Sequence, residues 1–219
     1  MFEDLWPEIG KGGLTGVLAG GGSILVQLLA PKAARLLGRL RAAEQPRLER
    51  RLAAILAADV AGYSRLMTAD EEDTHRRLVT YRREIFEPKV REHRGRVVKN
   101  TGDGALVEFA SIVNAVRFAL EVQRLIRARN AGVPENRRIE FRVGVHLGDV
   151  IVAPDDIYGH GVNVAARLES IAPPGGICIS AEAWRNVRSA VAAEFVDLGE
   201  QQLKNIADPA HVFVVAPAA

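Results

Sequence analysis

From residue 52 onward, the apolar positions of the chain follow two different periods. The run Leu52–Ala58 is continuously apolar and is ended by Asp59, a pattern typical of a buried strand. Apolar residues between Ile112 and Ile126 recur at helical spacing behind Ser111, a good helix N-cap, and predict a long helix. Between Ile139 and Leu147, apolar residues alternate with polar or small ones, which predicts a half-buried strand. This mixture indicates an α+β domain.

The segments between these elements predict further helices and strands. Acidic residues at 70–73 followed by arginines predict a helix, and Pro88 is expected to end or kink it. Strands are predicted over 96–100 and 105–109, joined by a Thr-Gly-Asp-Gly hairpin at 101–104. Beyond residue 160 we expect a helix near 162–171, a strand at 177–179, a helix from Ser180 and C-terminal strands.

The first 51 residues differ from the rest of the chain. Residues 12–31 carry no charge and contain six glycines, so they are a marginal candidate for a membrane-spanning helix. If this run meets a membrane, the basic residues that follow it place the rest of the chain on the cytoplasmic side. The alternative is a Gly-rich loop and an amphipathic helix that pack on the body or on a partner. We therefore divide the chain into an N-terminal segment, 1–51, and a domain, 52–219.

Composition excludes some classes of function. The formal net charge of +2 comes from the N-terminal segment, which carries +3, whereas residues 52–219 carry −1. A domain that binds duplex nucleic acid is expected to carry a basic face, and aromatic residues make up only 5% of the chain. We therefore expect no nucleic-acid partner. The single cysteine, Cys178, excludes an internal disulfide, fits a reducing compartment and is expected in the core.

Two aspartates follow predicted neighbouring strands. Asp59 ends an apolar strand, and Asp103 lies at the tip of the predicted hairpin. Each has a structural explanation, since Asp often caps a helix and Asp-Gly is common in hairpin turns. If the strands are neighbours, both carboxylates meet at one edge of the sheet. Oxygen ligands of this kind suit Mg²⁺, which usually takes one or two protein carboxylates.

A third polar segment runs from Asp156 to Glu169. Asn163 and Arg167 are four residues apart, so a helix projects them from the same face. An amide and a guanidinium placed together can hold anionic oxygen atoms. The alternative is an amphipathic surface helix whose core contacts are Val162, Ala166 and Leu168.

Four motifs in this order resemble the class III nucleotidyl cyclase catalytic domain. They are the strand Asp with Gly-Tyr-Ser at 62–64, Lys99 with the Gly-Asp-Gly hairpin, Phe-Arg-Val-Gly-Val-His at 141–146, and the Asp-Ile-Tyr-Gly segment with Val-Asn-Val-Ala-Ala-Arg at 162–167. The resemblance covers roughly residues 52–215. It implies a ferredoxin-like βαββαβ core, an antiparallel sheet with flanking helices, and an enzyme that forms cyclic AMP from ATP.

The resemblance also assigns roles to individual residues. It implies that two Mg²⁺ or Mn²⁺ ions are held by Asp59, Asp103 and the backbone carbonyl of Val60. Adenine would be read by Lys99 as donor and Asp156 as acceptor. The ribose would be oriented by Asn163, and charge on the α-phosphate would be stabilised by Arg167. The triphosphate would be held by Arg142, Lys204 and the backbone of Gly62, Tyr63 and Ser64. Arg142 also fits an exposed strand position.

In this family, the metal carboxylates and the Asn/Arg pair of one site come from different chains. The presence of both sets here implies a homodimer that is required for activity, with two equivalent sites. His160 departs from the family pattern, which commonly has Asp or Asn there. The alternative to an enzyme is a catalytically degenerate domain that binds nucleotide and regulates a partner, although binding alone would not require all four of Asp59, Asp103, Asn163 and Arg167.

Overall fold

The computed structural model describes residues 49–217. The strands in this part are β1 (Glu49–Val60), β2 (Gly95–Thr101), β3 (Gly104–Phe109), β4 (Phe141–Val152), β5 (Ile157–Tyr158), β6 (Ile177–Ser180), β7 (Ala193–Gln201) and β8 (Ala210–Pro217). The α-helices are α1 (Tyr63–Ala69), α2 (Glu71–Tyr81), α3 (Glu87–Glu92), α4 (Ile112–Arg129), α5 (His160–Ile171) and α6 (Ala181–Val187). A π-helical segment, Arg82–Phe86, joins α2 to α3, and a 3-10 turn, Glu135–Arg137, precedes β4.

The described strands form one sheet in the order β2-β3-β1-β4-β6-β8-β7, and β5 pairs with the end of β4. The first four strands and their helices have βαββαβ connectivity with neighbours β2-β3-β1-β4, which confirms the predicted ferredoxin-like core. The pair β4/β6 is parallel, unlike the other pairs of the sheet. Its two strands are connected through α5, and a parallel pair requires such a crossover.

Helices cover both faces of the central strands. Leu56 and Ala58 of β1 enter a core cluster with residues of α2, α3, α4 and α6. Ile55 and Ala57, which point to the opposite face, pack with residues of β5 and α5. Alternate residues of β1 therefore pack into two different cores, one on each face of the sheet. This explains why the strand is apolar without interruption.

Two sequence predictions about strands need adjustment. The predicted buried strand is confirmed, although it begins at Glu49 and Leu52 itself is 62% exposed. The strand predicted over 139–147 is confirmed, but it is not half-buried. β4 begins at Phe141, and its second face is also buried at Gly144 and His146 because α5 covers it.

Pro88 is expected to end or kink the helix; it does not end it, and the regular helical path is disturbed just upstream of it. The helical path continues to Glu92, and Pro88 lies in the first turn of α3. Proline cannot donate a hydrogen bond to the carbonyl four residues earlier, and the wider π-helical turns fall just upstream of it. The predicted N-cap at Ser111 is confirmed, and Asp70 and Ser180 cap their helices in the same way, since each side chain accepts a backbone N–H.

The predicted N-terminal segment, 1–51, lies outside the described residues except for its last three, which belong to β1. The membrane question for residues 12–31 therefore stays a prediction. Within 49–217, no helix has the length and apolar character needed to cross a membrane.

Helix α5 sits very close to β4, and Gly144 makes this possible. A Cβ atom at this position would lie 2.2 Å from the carbonyl oxygen of Ala165 and from the amide nitrogen of Glu169. Both are backbone atoms of α5, so they could move only with the helix. Glycine at 144 therefore sets the distance between the sheet and the helix that carries Asn163 and Arg167.

We expect Gly144→Ala to lower the free energy of unfolding by about 1–3 kcal/mol, the usual cost of an overpacked core. Thermal unfolding measures the loss. Gly148→Ala in the same strand is the matched control, because its Cβ would meet only the ring of His146 closely, at 2.6 Å. The His146 ring is buried and hydrogen-bonded to Ser180, but a ring can shift more easily than the backbone of a helix, so this variant should lose less stability. Equal stability of Gly144→Ala and the wild type would contradict the close packing of α5.

Candidate active site

Asp59 and Asp103 converge at one end of the sheet, as the sequence predicts for neighbouring strands. Asp59 is the penultimate residue of β1, and Asp103 lies in the turn between β2 and β3. The β1/β3 register pairs Ala58 with Ala105, so the hairpin tip lies beside the end of β1. Gly104 permits this approach, since a Cβ there would be 2.5 Å from the carbonyl oxygen of Ala58.

Asp59 is close enough to Asp103 to affect the ionisation of the Asp103 carboxyl group. Partial burial, and then the hydrogen bond and charge of Asp59, raise the pKa of Asp103 to about 6. The backbone amides of Asp103 and Val60 act in the opposite direction but are outweighed. The site therefore concentrates negative charge that the fold does not fully neutralise.

Arg142 lies directly across the sheet from Asp59. The β1/β4 register pairs these two residues, and Arg142 Nη2 donates to Asp59 Oδ2 at 2.8 Å. The guanidinium also lies 3.2 Å from Glu169 Oε1 of α5. Burial, which is opposed by Arg142, raises the pKa of Glu169 to about 7, and Asp59 and Asp103 add to this effect. Arg142 is therefore a half-buried cation between two carboxyl groups, rather than the exposed strand residue of the alternative interpretation.

The residues at this edge fit a hard divalent cation. The donors are two carboxylates with a shared excess of negative charge, which oxygen-seeking Mg²⁺ or Mn²⁺ would relieve. Among residues 49–217, no group of three or more His, Cys, Asp or Glu side chains is arranged to hold a metal. A complete shell would therefore need the backbone carbonyl of Val60, water or substrate oxygen atoms. The roles of Asp59, Val60 and Asp103 as ligands stay a prediction.

The predicted base-reading residues form a direct contact. Lys99 of β2 and Asp156, which precedes β5, are 57 positions apart, and Lys99 Nζ donates to Asp156 Oδ2 at 2.6 Å. Asp156 Oδ1 accepts the Ile157 N–H at 2.8 Å. Burial disfavours the charge of Asp156, but Lys99 and this amide hold its pKa below the usual value. The fold thus places a hydrogen-bond donor beside an acceptor at the surface.

The remaining polar candidates from the sequence are Asn163, Arg167 and Lys204. Within residues 49–217, the side chains of Asn163, Arg167 and Lys204 form no hydrogen bond or ion pair. Asn163 is exposed and Arg167 half-buried on α5, and Lys204 is exposed in the loop before β8. The helix predicted for Asn163 and Arg167 is confirmed, and its core residues are Gly161, Val164, Ala165 and Leu168.

The turn at Gly62, Tyr63 and Ser64 comes shortly after β1. It lies next in the chain to the end of the sheet that carries Asp59 and Asp103, which we call the carboxylate edge. Gly62 has a φ of 65° and precedes α1, so it adopts the left-handed conformation that glycine favours. Tyr63 is half-buried against the main core, and Ser64 is exposed. Cys178 is fully buried, as predicted, and burial raises the pKa of its thiol to about 11, so it is not a reactive nucleophile.

Two residues that organise the site were not predicted. Arg82, in the π-helical segment, donates to the carbonyl oxygen atoms of Gly102 and Gly104 and so fixes the hairpin tip that carries Asp103. Glu169 shares Arg142 with Asp59. The sequence contains no local signal for Arg82, since it is one of several arginines in its helical stretch. Glu169 ends the polar segment quoted above, but its contact depends on how α5 packs.

A ferredoxin-like sheet with paired carboxylates at one edge and a donor–acceptor pair at the surface suits a domain that binds a nucleotide with a divalent cation. Residues 49–216 match the adenylate and guanylate cyclase catalytic domain family, and the chain belongs to this family.

Named relatives and solved structures agree with this assignment. The chain is 51% identical over 170 residues to "Putative adenylate cyclase 3" of Rhizobium meliloti, a match that covers 78% of this chain and 29% of that protein. It is 32% identical to an adenylate cyclase of Streptomyces coelicolor, over 69% of this chain and 39% of the relative. The chain thus spans well under half of the length of these relatives.

Among solved structures, an adenylate/guanylate cyclase/hydrolase from Silicibacter pomeroyi is 45% identical with a TM-score of 0.74, over 78% of this chain and 99% of that one. The adenylyl cyclase CyaB from P. aeruginosa shares the fold, with a TM-score of 0.70 at 22% identity over 79% of this chain and 97% of that one. Both therefore confirm the predicted fold of the domain.

The charge excess at the carboxylate edge makes a prediction about metal and stability. We expect Asp103→Asn to raise the melting temperature of the metal-free protein by a few degrees, because it removes the repulsion with Asp59. Mg²⁺ or Mn²⁺ should raise the melting temperature of the wild type and not that of the variant.

The matched control is Asp208→Asn, at an exposed position. This variant should melt like the wild type and should still respond to metal. A metal response of Asp103→Asn equal to that of the wild type would argue against Asp103 as a ligand.

Proposed function

We propose that this domain is an adenylate cyclase that converts ATP to 3′,5′-cyclic AMP and pyrophosphate at a homodimer interface. The observation that carries the choice of ATP is the Lys99–Asp156 contact at 2.6 Å. Adenine presents an acceptor beside an exocyclic amine, and a lysine donor beside a carboxylate acceptor matches that pattern. The relatives named above as adenylate cyclases support the same substrate.

The other polar residues are proposed to position the substrate. Asn163 orients the ribose, and Arg167 stabilises charge on the α-phosphate as the 3′-oxygen attacks. The triphosphate is held by Arg142, Lys204 and the backbone of the turn at 62–64. Positioning and charge stabilisation of this kind can supply most of the rate enhancement without a covalent intermediate.

Asp59, Asp103 and the Val60 carbonyl are proposed to hold two divalent cations. When bound, these ions would lower the pKa of the ribose 3′-hydroxyl and neutralise charge on the departing pyrophosphate. Arg142 now pairs with Asp59 at 2.8 Å. Cations at the carboxylates would compensate Asp59 and leave this guanidinium available for phosphate oxygen atoms.

The dimer is proposed because the chain carries two complementary half-sites. Asp59 and Asp103 form one half, and the uncommitted side chains of Asn163 and Arg167 belong to the other. A symmetric dimer would bring the first half of each chain to the second half of its partner and create two equivalent sites. A monomer is expected to be inactive.

The regulatory alternative receives no separate support, because the chain retains every polar residue that the reaction requires. The single buried Cys178 is compatible with a reducing compartment, and we propose that the domain acts in the cytoplasm. Membrane association through residues 12–31 remains part of this proposal, as does the assignment of residues 1–51 to a separate segment.

Complementation tests the reaction and the shared site together. Asp59→Ala/Asp103→Ala and Asn163→Ala/Arg167→Ala chains should each lose at least about a hundredfold in cyclic AMP formation, the scale of removing a principal charge stabiliser. After subunit exchange, about half of the dimers are mixed and each has one intact site, so roughly a quarter of wild-type activity should return. Native mass spectrometry checks that exchange has occurred. Confirmed exchange without any activity would exclude a site that straddles the dimer.

Base selection is tested separately. The wild type should convert ATP and not GTP, and Lys99→Glu combined with Asp156→Cys should erode this preference because it changes the donor and acceptor pattern that faces the base. The measurement is kcat/KM for both nucleotides. Lys89→Glu is a useful control, since Lys89 pairs with Glu92 and Glu121 and has no assigned role in the site. A wild type that prefers GTP would contradict the adenine assignment.

A further inference from the structure

The lysine of the base-reading pair needs more than its ion pair to stay in place. The side chain of Lys99 is 43% exposed, and that of Asp156 is 18% exposed. Exposed lysine–carboxylate pairs contribute little, because ordering the long lysine side chain costs entropy and water screens the charges. Asp156 is fixed independently, since its carboxylate accepts the Ile157 N–H and its carbonyl accepts the Ala153 N–H at 2.9 Å. Lys99 has no comparable backbone anchor.

Tyr158 supplies a second contact for Lys99. The Nζ atom of Lys99 lies over the ring of Tyr158, 5.8 Å from its centroid. A cation within about 6 Å of an aromatic face is attracted by the negative charge of the ring surface.

The backbone holds the ring of Tyr158 in a defined place. Tyr158 pairs with Ile151 of β4, and its neighbour Ile157 is only 1% exposed. Gly159 follows with a φ of 130°, and a Cβ there would lie 3.4 Å from the carbonyl oxygen of Asp149. Tyr158 itself is nevertheless 53% exposed. An exposed aromatic residue on an anchored strand is suited to support another side chain rather than to fill the core.

The position of Lys99 matters because adenine and guanine present opposite patterns. On its Watson–Crick edge, adenine offers the N1 acceptor next to an amine donor, whereas guanine offers the N1–H donor next to the O6 acceptor. A fixed Lys99–Asp156 pair meets guanine with donor against donor and acceptor against acceptor. A mobile lysine could swing to O6 and relieve this mismatch. Rejection of guanine therefore depends on restricting the lysine.

We propose that Tyr158 is a positioning residue for base recognition, whose ring holds the Lys99 ammonium beside Asp156 and thereby sharpens discrimination against guanine nucleotides. This inference rests on the proposed function, which assigns Lys99 and Asp156 to the purine. Because the aromatic ring makes the contact with Lys99, phenylalanine at position 158 should preserve the discrimination against guanine nucleotides. An aliphatic residue should weaken it.

The test compares Tyr158→Phe with Tyr158→Leu in the full chain. The ratio of kcat/KM for ATP to that for GTP should fall about twofold to fivefold in Tyr158→Leu, mainly through a lower KM for GTP, and should stay near the wild-type value in Tyr158→Phe. Val196→Ala, at a 54% exposed position on β7, is the matched control and should leave the ratio unchanged. If turnover is absent, the same ratio is read from equilibrium binding of the two nucleotides.

A second readout does not depend on activity. The chain has five lysines, so the ε-methylene and ammonium NMR signals of Lys99 can be assigned by comparison with Lys99→Arg. Ring-current shifts of these signals should be present in the wild type and Tyr158→Phe and absent in Tyr158→Leu. Failure to form cyclic AMP would overturn the proposed function, while the ring-current and binding data would still decide the role of Tyr158.

Three outcomes would overturn the role of Tyr158. One is the absence of ring-current shifts in the wild type. Another is their loss in Tyr158→Leu with unchanged discrimination between ATP and GTP, in activity or in binding. The third is an equal loss for both nucleotides together with a change of mass in solution, which would make Tyr158 a dimer-contact residue instead.

Discussion

The proposed active site depends on two like charges that the pairing of the strands brings together. Pairing of β1 with β3 brings the hairpin tip to the end of β1, and this places the carboxylates of Asp59 and Asp103 side by side. The approach requires a glycine at 104, because any Cβ would collide with the Ala58 carbonyl. Arg82 then fixes the tip through the Gly102 and Gly104 carbonyls. The backbone packing therefore keeps the Asp59 and Asp103 carboxylates close together although they repel each other.

This charge excess also links the two halves of the domain. Asp59 is paired across the sheet with Arg142, whose guanidinium extends to Glu169 on α5. The same helix is seated on β4 through Gly144. The position of α5, and of Asn163 and Arg167 on it, is therefore tied to the carboxylate edge by both a charge contact and a backbone contact. A shift of the helix would alter the neutralisation of Asp59.

Local sequence patterns predicted much of this arrangement. An apolar run that ends in Asp59 and a Gly-Asp-Gly turn at Asp103 are visible in short windows, because strands and hairpins leave local signals. The Lys99–Asp156 contact joins positions 57 residues apart, and it was anticipated only through resemblance to a known family. The second buried face of β4 was missed, because alternation in one strand does not report a helix that follows some twenty residues later. Arg82 was missed for the same reason, since its partners are backbone carbonyls of another hairpin.

The distribution of paired and unpaired charged side chains supports the proposed contact between two copies of this chain. At the carboxylate edge, Arg142 is the cation that pairs with Asp59 and Glu169, and Asp103 forms no ion pair within the described residues, so carboxyl groups outnumber the cations paired with them. Arg167, which has no side-chain partner within the described residues, belongs to the second half-site that we propose. An isologous dimer lets one surface meet its own complement, because each patch is presented twice. Nucleotide and divalent cations would complete the neutralisation between the two halves. In such an arrangement the repulsion between Asp59 and Asp103 costs stability in the isolated chain and favours assembly of the occupied site.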